Sequence, residues 1–432
     1  MFGSRPWVWP LLLAVLISGG WYFGFRAKDG DRELPVYVQG SQRMLAGEEV
    51  YRVTEDKKPF TYPPFAAVPT MALVKVAPKW QPAVWFGMQF LLLFAIARWL
   101  HRWAERDDPE AGPPRLRLFW LLTLLLGVHH VISVLTNQSH DLLIAASVLL
   151  VAAGASRGGA GGWLLAGLGA GAGAAIKATP GLFLGLFGLR LRWFGLLGLV
   201  IGAAGLTLLP DWLYPRGDGK PWAVAWYEVN LSSLGVGRSA DAGAWGSHSF
   251  LNQGLSGTLT RLFSPPPTVE LQPDRTFVHE HAMVAALSPT ALRFVTLFAL
   301  AGVLGLITWG VRRIAVAESG AADSAAARRR FGLAEAAMFA CGMVLLSPQS
   351  SKAHFCVWLF PAAYLADRLL RGRRDPILWL LVAAAAAVGP LASKGIVGRE
   401  LGNLLLAYGN VAWCTLLLLL AVIRACPPRR AT

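Results

Sequence analysis

Apolar residues in this chain come in long unbroken runs, without the strict alternation of a half-buried strand. The runs fall at about 7–25, 81–100, 118–136, 141–156, 162–177, 179–189, 194–210, 291–311, 331–347, 355–370, 376–391 and 402–424. A helix crosses a bilayer with roughly 17–25 mostly apolar residues. Since only helices and closed barrels satisfy their backbone in lipid, the pattern predicts an all-α polytopic integral membrane protein, a bundle of about 12 transmembrane helices. The run at 179–189 is too short to cross alone and predicts a broken or re-entrant helix. The first run follows Arg5 and resembles the apolar part of a signal peptide, but it has no A-x-A cleavage pattern and is long enough to span. It is expected to be an uncleaved first helix.

Two long polar stretches interrupt the runs, 26–80 and 211–290. Arginine is concentrated in alternate connections: Arg98 to Arg117, Arg157, Arg190 and Arg192, Arg312 to Arg330, Arg368 to Arg374 and Arg424 to Arg430. By the positive-inside rule those connections are cytoplasmic, as are both termini, and the two long stretches are extracytoplasmic loops. Short interfacial helices are expected within those loops, as at 65–76. The whole of 1–432 is expected to be one transmembrane domain, with 26–80 as a first outer loop carrying an acidic motif and 211–290 as a large outer loop.

Composition sharpens this. Charged residues make up 15% of the chain and apolar ones 55%, against about a quarter charged in soluble proteins, and the mean hydropathy is +0.47. A disordered chain, a coiled coil, a disulfide scaffold and a soluble enzyme are all disfavoured. The net charge of +15 is accounted for by cytoplasmic-loop arginine, so no nucleic-acid partner is expected. The cysteines, Cys341, Cys356, Cys414 and Cys426, lack metal-ligand spacing. The sequence ending in Ile176-Lys177-Ala178-Thr179 imitates a phosphate-binding loop but has Ile176 where that motif needs glycine. Its small residues suit close helix packing in lipid.

The polar residues that could do chemistry collect in the predicted outer connections. Asp29, Asp31 and Glu33 stand near the start of the first loop, where a partly buried carboxylate can act as a general base, or where a solvated loop start can simply balance Lys28 and Arg32. Tyr37 and Tyr51 could face headgroups or a sugar. The segment Thr136 to Leu143 offers Asn137, Gln138 and Asp141, either as turn and cap residues or as pocket residues. Lys177, at the edge of an apolar run, needs a partner or water, and Asp141 is a plausible counter-ion. In 245–263 an amphipathic helix would present His248, Asn252, Gln253 and Arg261. Farther on, Ser347, Gln349, Ser350, Lys352 and His354 share one helix turn.

In order and spacing these segments resemble glycosyltransferase family 87, membrane mannosyltransferases of GT-C type. The likeness rests on an acid before a tyrosine (Glu33, Tyr37), a Gly-x-x-x-Tyr element (Gly47 to Tyr51) and an aromatic-Tyr-x-Pro turn containing Tyr62 (Phe60 to Pro64). It continues through Asn137 to Ser139, Lys177 to Pro180, Asn252 to Arg261 and Ser347 to His354. It departs from the family at Glu33, where Asp is usual and where Asp31 is an alternative, and at Gly254, where a serine is usual. The resemblance implies a GT-C type bundle that transfers a hexose, most often mannose, from a polyprenyl-phosphate donor to a glycolipid or glycan acceptor. Glu33 or Asp31 would be the base in an inverting displacement. His354 would orient the acceptor or hydrogen-bond the phosphate. Lys177 and Lys352, with Lys394 or Arg399, would steady the phosphate, and Tyr37, Tyr62, Asn137, Gln138, Asp141, Asn252 and Gln253 would line the substrate site. No metal and no cofactor is implied. The competing reading is a transporter or flippase for a lipid-linked sugar, which would place ionisable residues near the bilayer midplane.

Overall fold

A computed structural model describes residues 14, 17–22, 32–52, 58–107, 112–232, 246–265, 282–319, 324–371 and 375–426. Most of the first apolar run lies outside the described residues, and so do Asp29 and Asp31. Every regular element among the described residues is helical.

The first, α1 (Leu34–Leu45), belongs to the loop between the first two apolar runs. Pro35 sits in its first turn, where a missing N–H costs nothing. It buries Leu34, Tyr37, Ser41 and Met44 on one stripe, and Ser41 Oγ donates to the Ala67 carbonyl at 2.7 Å. That bond ties α1 to the 3-10 run Pro64–Thr70. Then follow α2 (Gln81–Asp107), α3 (Pro113–Asn137), α4 (Asp141–Arg157), α5 (Gly159–Ile176), α6 (Phe183–Leu189) and α7 (Trp193–Leu213). α8 (Leu255–Phe263) lies in the second long loop. The rest of the bundle is α9 (Pro289–Ser319), α10 (Ala325–Leu346), α11 (Leu359–Leu370), α12 (Pro376–Val388), α13 (Arg399–Ala407) and α14 (Asn410–Ala425).

α10 is the axis of the bundle. Every residue from Phe331 to Leu345 is buried, with α4, α9, α11 and α14 around it. The outer helices instead expose Leu121, Val200 and Phe298, as a lipid-facing surface does. The glycine-rich stretch serves packing: α5 lies so close to α7 that a Cβ on Gly171 would stand 2.5 Å from the Leu199 carbonyl oxygen.

Five helical stretches among the described residues are long and apolar enough to cross a membrane: Pro78–Arg106, Pro113–Asn137, Gly159–Ile176, Trp193–Leu213 and Pro289–Ser319. A sixth appears if α13 and α14, bent by 62°, count as one span. The protein is therefore a multi-pass helical membrane protein, with fewer full-length apolar spans than the twelve runs suggested. The reason is local. α4 has 17 residues, α10 carries Arg328, Arg329 and Arg330 in its first two turns and Glu335 further on, α11 and α12 are short, and Thr179–Leu189 is a short apolar helix. Of these, α10 and α11 are covered by neighbours almost throughout.

The two ends of the bundle differ in character. At one end Arg190 pairs with Glu318 and Glu335, Arg115 pairs with Asp367, and Trp103 donates to the Arg329 carbonyl. The other end gathers α1, the α3–α4 turn, the end of α5, the turn after α10 and the segment before α13.

Candidate active site

The sequence candidates meet at that second end. α3 stops because Gln138 takes a left-handed conformation, φ 53°, and its N–H caps the Leu135 carbonyl. The turn this makes is held from α2, as Trp85 Nε1 donates to the Gln138 carbonyl at 3.0 Å and Gln89 Nε2 to the Ser139 carbonyl at 3.0 Å. The backbone N–H of Glu33 donates to the Asn137 carbonyl at 2.9 Å, which pins the start of α1 against the same turn.

Glu33 is then surrounded by side chains that set its chemistry. Lys58 Nζ lies 2.7 Å from Oε1, and the Tyr62 hydroxyl donates to Oε2 at 3.3 Å. Tyr62 packs edge-on against Tyr37, with ring centroids 5.4 Å apart, and against His140 at 4.5 Å. Tyr37 closes the triangle at 4.7 Å from His140. Burial and the nearby carboxylates push both tyrosine hydroxyls up, so they stay protonated donors.

Asp141, the first residue of α4, receives Lys177 Nζ at 2.9 Å on Oδ1 and Ser139 Oγ at 2.8 Å on Oδ2. The pair links α4 to the end of α5, and Lys177 is neutralised by it. His354 stands in the 3-10 turn Lys352–Trp358, where its Nδ1 accepts the Ser351 N–H at 3.1 Å. That bond leaves the ring proton on Nε2. Burial pushes His354 down to about 3, and the Lys177 charge adds to the effect, so the ring is a neutral donor. Lys352 is half-buried and has no carboxylate partner among the described residues. Burial, with the neighbouring Lys394 charge, pulls its ammonium down to about 8. Lys394 stands 5.3 Å over the Phe250 ring, and Arg399 follows it at the start of α13. Unlike Lys177, none of these three cations has a carboxylate partner among the described residues.

Four of the predicted site residues also have a part in the fold, Gln138 through its main chain. Asn137 turns its amide back to Ser133 Oγ at 3.3 Å, and Gln138 makes the helix-ending turn. Asn252 and Gln253 are fully buried and spend their amides on backbone. Asn252 Nδ2 donates to the Pro348 carbonyl at 2.9 Å while its Oδ1 accepts from Gly254 and Ser350. Gln253 Nε2 donates to the Leu406 carbonyl at 2.7 Å, and its Oε1 accepts from Val411. Arg261, also fully buried, completes this staple by donating to the Ser249, Asn252 and Ala407 carbonyls. Expected as pocket residues, Asn252 and Gln253 are instead fasteners between the second long loop, the turn after α10 and the bend between α13 and α14. Among the described residues, no group of three or more His, Cys, Asp or Glu side chains could hold a metal ion.

The sequence profile of glycosyltransferase family 87 matches residues 60–348, about two thirds of the chain. The chain belongs to glycosyltransferase family 87. It is a membrane glycosyltransferase. No curated protein matches the chain in sequence. Among solved structures, the apo-state crystal structure of ArnT from Cupriavidus metallidurans is distantly similar, at 14% identity and a TM-score of 0.41, covering 96% of this chain and 77% of that one. The stretch matching family 87 begins at Phe60 and ends at Pro348. Tyr62, the α3–α4 turn and Lys177 therefore lie inside it, Glu33 and Tyr37 precede it, and Lys352 and His354 follow it. The fold joins all of these at one end of this family 87 chain.

Three residues at the site had no distinguishing sequence signal. Lys58 lies in a charged loop. His130 Nδ1 bonds the Lys352 carbonyl at 2.8 Å from deep in α3. His140 hides in a polar turn between Ser139 and Asp141. Both ring nitrogens of His140 are buried without a hydrogen-bond partner among the described residues, an arrangement that costs about 1–3 kcal/mol per group.

Proposed function

We propose that this family 87 enzyme moves a hexose, with mannose the first candidate, from a polyprenyl-phosphate donor to an acceptor hydroxyl on the extracytoplasmic side of the plasma membrane. The observation that carries the reading is one bundle end holding a carboxylate, neutral histidines and cations that have no carboxylate partner among the described residues. Arginine density assigns the opposite end to the cytoplasm, which puts this end outside.

The chemistry divides among the residues as follows. Glu33 takes the proton of the attacking hydroxyl once Lys58 yields Oε1, and Tyr62 holds the carboxylate in place. Asp31, two residues earlier, is the alternative base. Attack in line with departure of the lipid phosphate inverts the anomeric configuration. Lys352, with Lys394 and Arg399, steadies the leaving phosphate. Lys177 is already committed to Asp141, so we assign that pair to shaping the site. His354 Nε2–H donates to the phosphate or to the acceptor. Asn252 and Gln253 hold backbone instead of touching substrate, and the chemistry as written needs no metal.

The test uses purified protein in detergent with synthetic polyprenyl-phosphate mannose and a panel of acceptors, following polyprenyl phosphate by mass spectrometry. Acceptor-dependent release that vanishes in Glu33→Gln or in Asp31→Asn supports the reading and names the base. No release, together with protein-dependent movement of the lipid across vesicles, would replace it with transport.

A further inference from the structure

His140 differs from most of its polar neighbours. Glu33, Asp141, Lys177 and His354 each have a partner, whereas His140, 3% exposed, has none at either nitrogen. Its ring packs edge-on against Tyr37 and Tyr62. A phenyl ring would fill the same space without leaving polar atoms unpaired, and an N–H over an aromatic face recovers only part of a hydrogen bond. An orphaned polar group that sits at an active site and weakens the fold points to a partner that arrives with the substrate.

Position narrows what that partner is. On one side of His140, Tyr62 reaches Glu33. On the other, the next residue, Asp141, holds Lys177, and His354 feels both of those charges. In the reaction proposed above, the acceptor oxygen lies at the carboxylate and the leaving phosphate lies toward the cations. The ring of His140 stands between the tyrosine that reaches Glu33 and the aspartate that holds Lys177, and the reading sets the transferred sugar against it. Burial pushes His140 down to about 3, so the imidazole is uncharged and offers one donor and one acceptor. A hydroxyl is matched by that pair of groups; a phosphate is not.

We propose that His140 touches the substrate and reads a hydroxyl of the transferred hexose. The proposal rests on the transferase reading, and its test separates the two. His140→Phe keeps the ring and removes both nitrogens; His140→Asn keeps a donor and an acceptor. Melting temperatures are measured alone, with polyprenyl phosphate and with polyprenyl-phosphate mannose. His140→Phe is expected to melt higher than wild type without ligand. The sugar-bearing lipid should stabilise wild type more than the bare lipid phosphate does, and that gap should close in His140→Phe and persist in part in His140→Asn. In turnover, kcat/KM of His140→Phe should fall about 10–100-fold. One monodeoxy donor should lower wild type by the same factor and lower the variant no further. Wild-type kcat/KM with an unchanged gap in His140→Phe overturns the proposal, and so does equal additivity across every deoxy donor. If His140→Phe does not fold, the deoxy series on His140→Asn decides in the same way. Failure of wild type to transfer any hexose would sink the transferase reading, while the lipid-binding gap would still decide the role of His140.

Discussion

Two lysines at the same end of the bundle have opposite electrostatic positions. Lys177 is matched one-to-one by Asp141 at 2.9 Å, whereas Lys352 faces other cations and is pulled down to about 8. Lys177→Met would strand the buried Asp141 carboxylate, at a cost of about 3–5 kcal/mol. A large fall in melting temperature is expected, partly restored by adding Asp141→Asn. Lys352→Met should leave stability nearly unchanged and weaken polyprenyl-phosphate binding. Because the Lys352 ammonium loses its proton as pH rises through about 8, that binding should also weaken above pH 8 in wild type and stay level in Lys352→Arg, whose charge persists. A flat binding profile in wild type would remove Lys352 from the phosphate site. For the base, Glu33→Gln is expected to lower kcat by about 10²–10⁴-fold, and near-normal turnover in both it and Asp31→Asn would end the mechanism. The Lys177–Asp141 pairing could be anticipated from the sequence because an intramembrane-edge cation needs a nearby anion. The isolation of Lys352 could not, because it depends on what the 390–399 segment brings alongside.

Among the elements, the second long loop departs most from its sequence pattern. The stretch 245–263 reads as a surface amphipathic helix displaying amides and an arginine. α8 instead turns its polar residues inward. Arg261 and Gln253 satisfy carbonyls left open where α13 ends and the chain bends by 62° into α14. The carbonyls in question are some 150 residues away along the chain, at Leu406 and Ala407, so no local pattern could disclose them. Asn252→Ala should cost about 1–3 kcal/mol through the unpaired Ser350 N–H and Pro348 carbonyl. A pocket role would instead predict raised KM at unchanged melting temperature. The α5–α7 contact was legible, because glycine recurring along a helix in lipid has close packing as its simplest use. Gly171→Ala, forced against the Leu199 carbonyl, is expected to lose about 1–3 kcal/mol.

Across the whole molecule, the two ends differ in their charge, with arginine–carboxylate pairs from the bundle helices at one and the site's histidines, lysines and Glu33 at the other. Single cysteines at Gly219 and at Ser324 would test the orientation: an impermeant thiol reagent added to intact cells should label the first and spare the second. Two histidines at the site end, His140 and His354, are both pushed from the ordinary imidazole range to about 3. The unfolded chain takes up their protons below about pH 6.5 while the folded chain does not. Stability is therefore full above pH 6.5 and falls as pH drops toward 3, and His140→Phe should reduce the slope by about one proton. By itself, the sequence determined that the chain is helical and membrane-embedded, which end carries the arginine, and where chemistry could reside, because those properties follow from unbroken apolar runs and from residue types in their connections. Only the tertiary structure decided which polar groups are already paired and which are left open. Pairing depends on distances between segments remote in sequence, and here it separates Lys352 from Lys177, turns Asn252 and Gln253 into fasteners, and leaves His140 without a partner between two tyrosines.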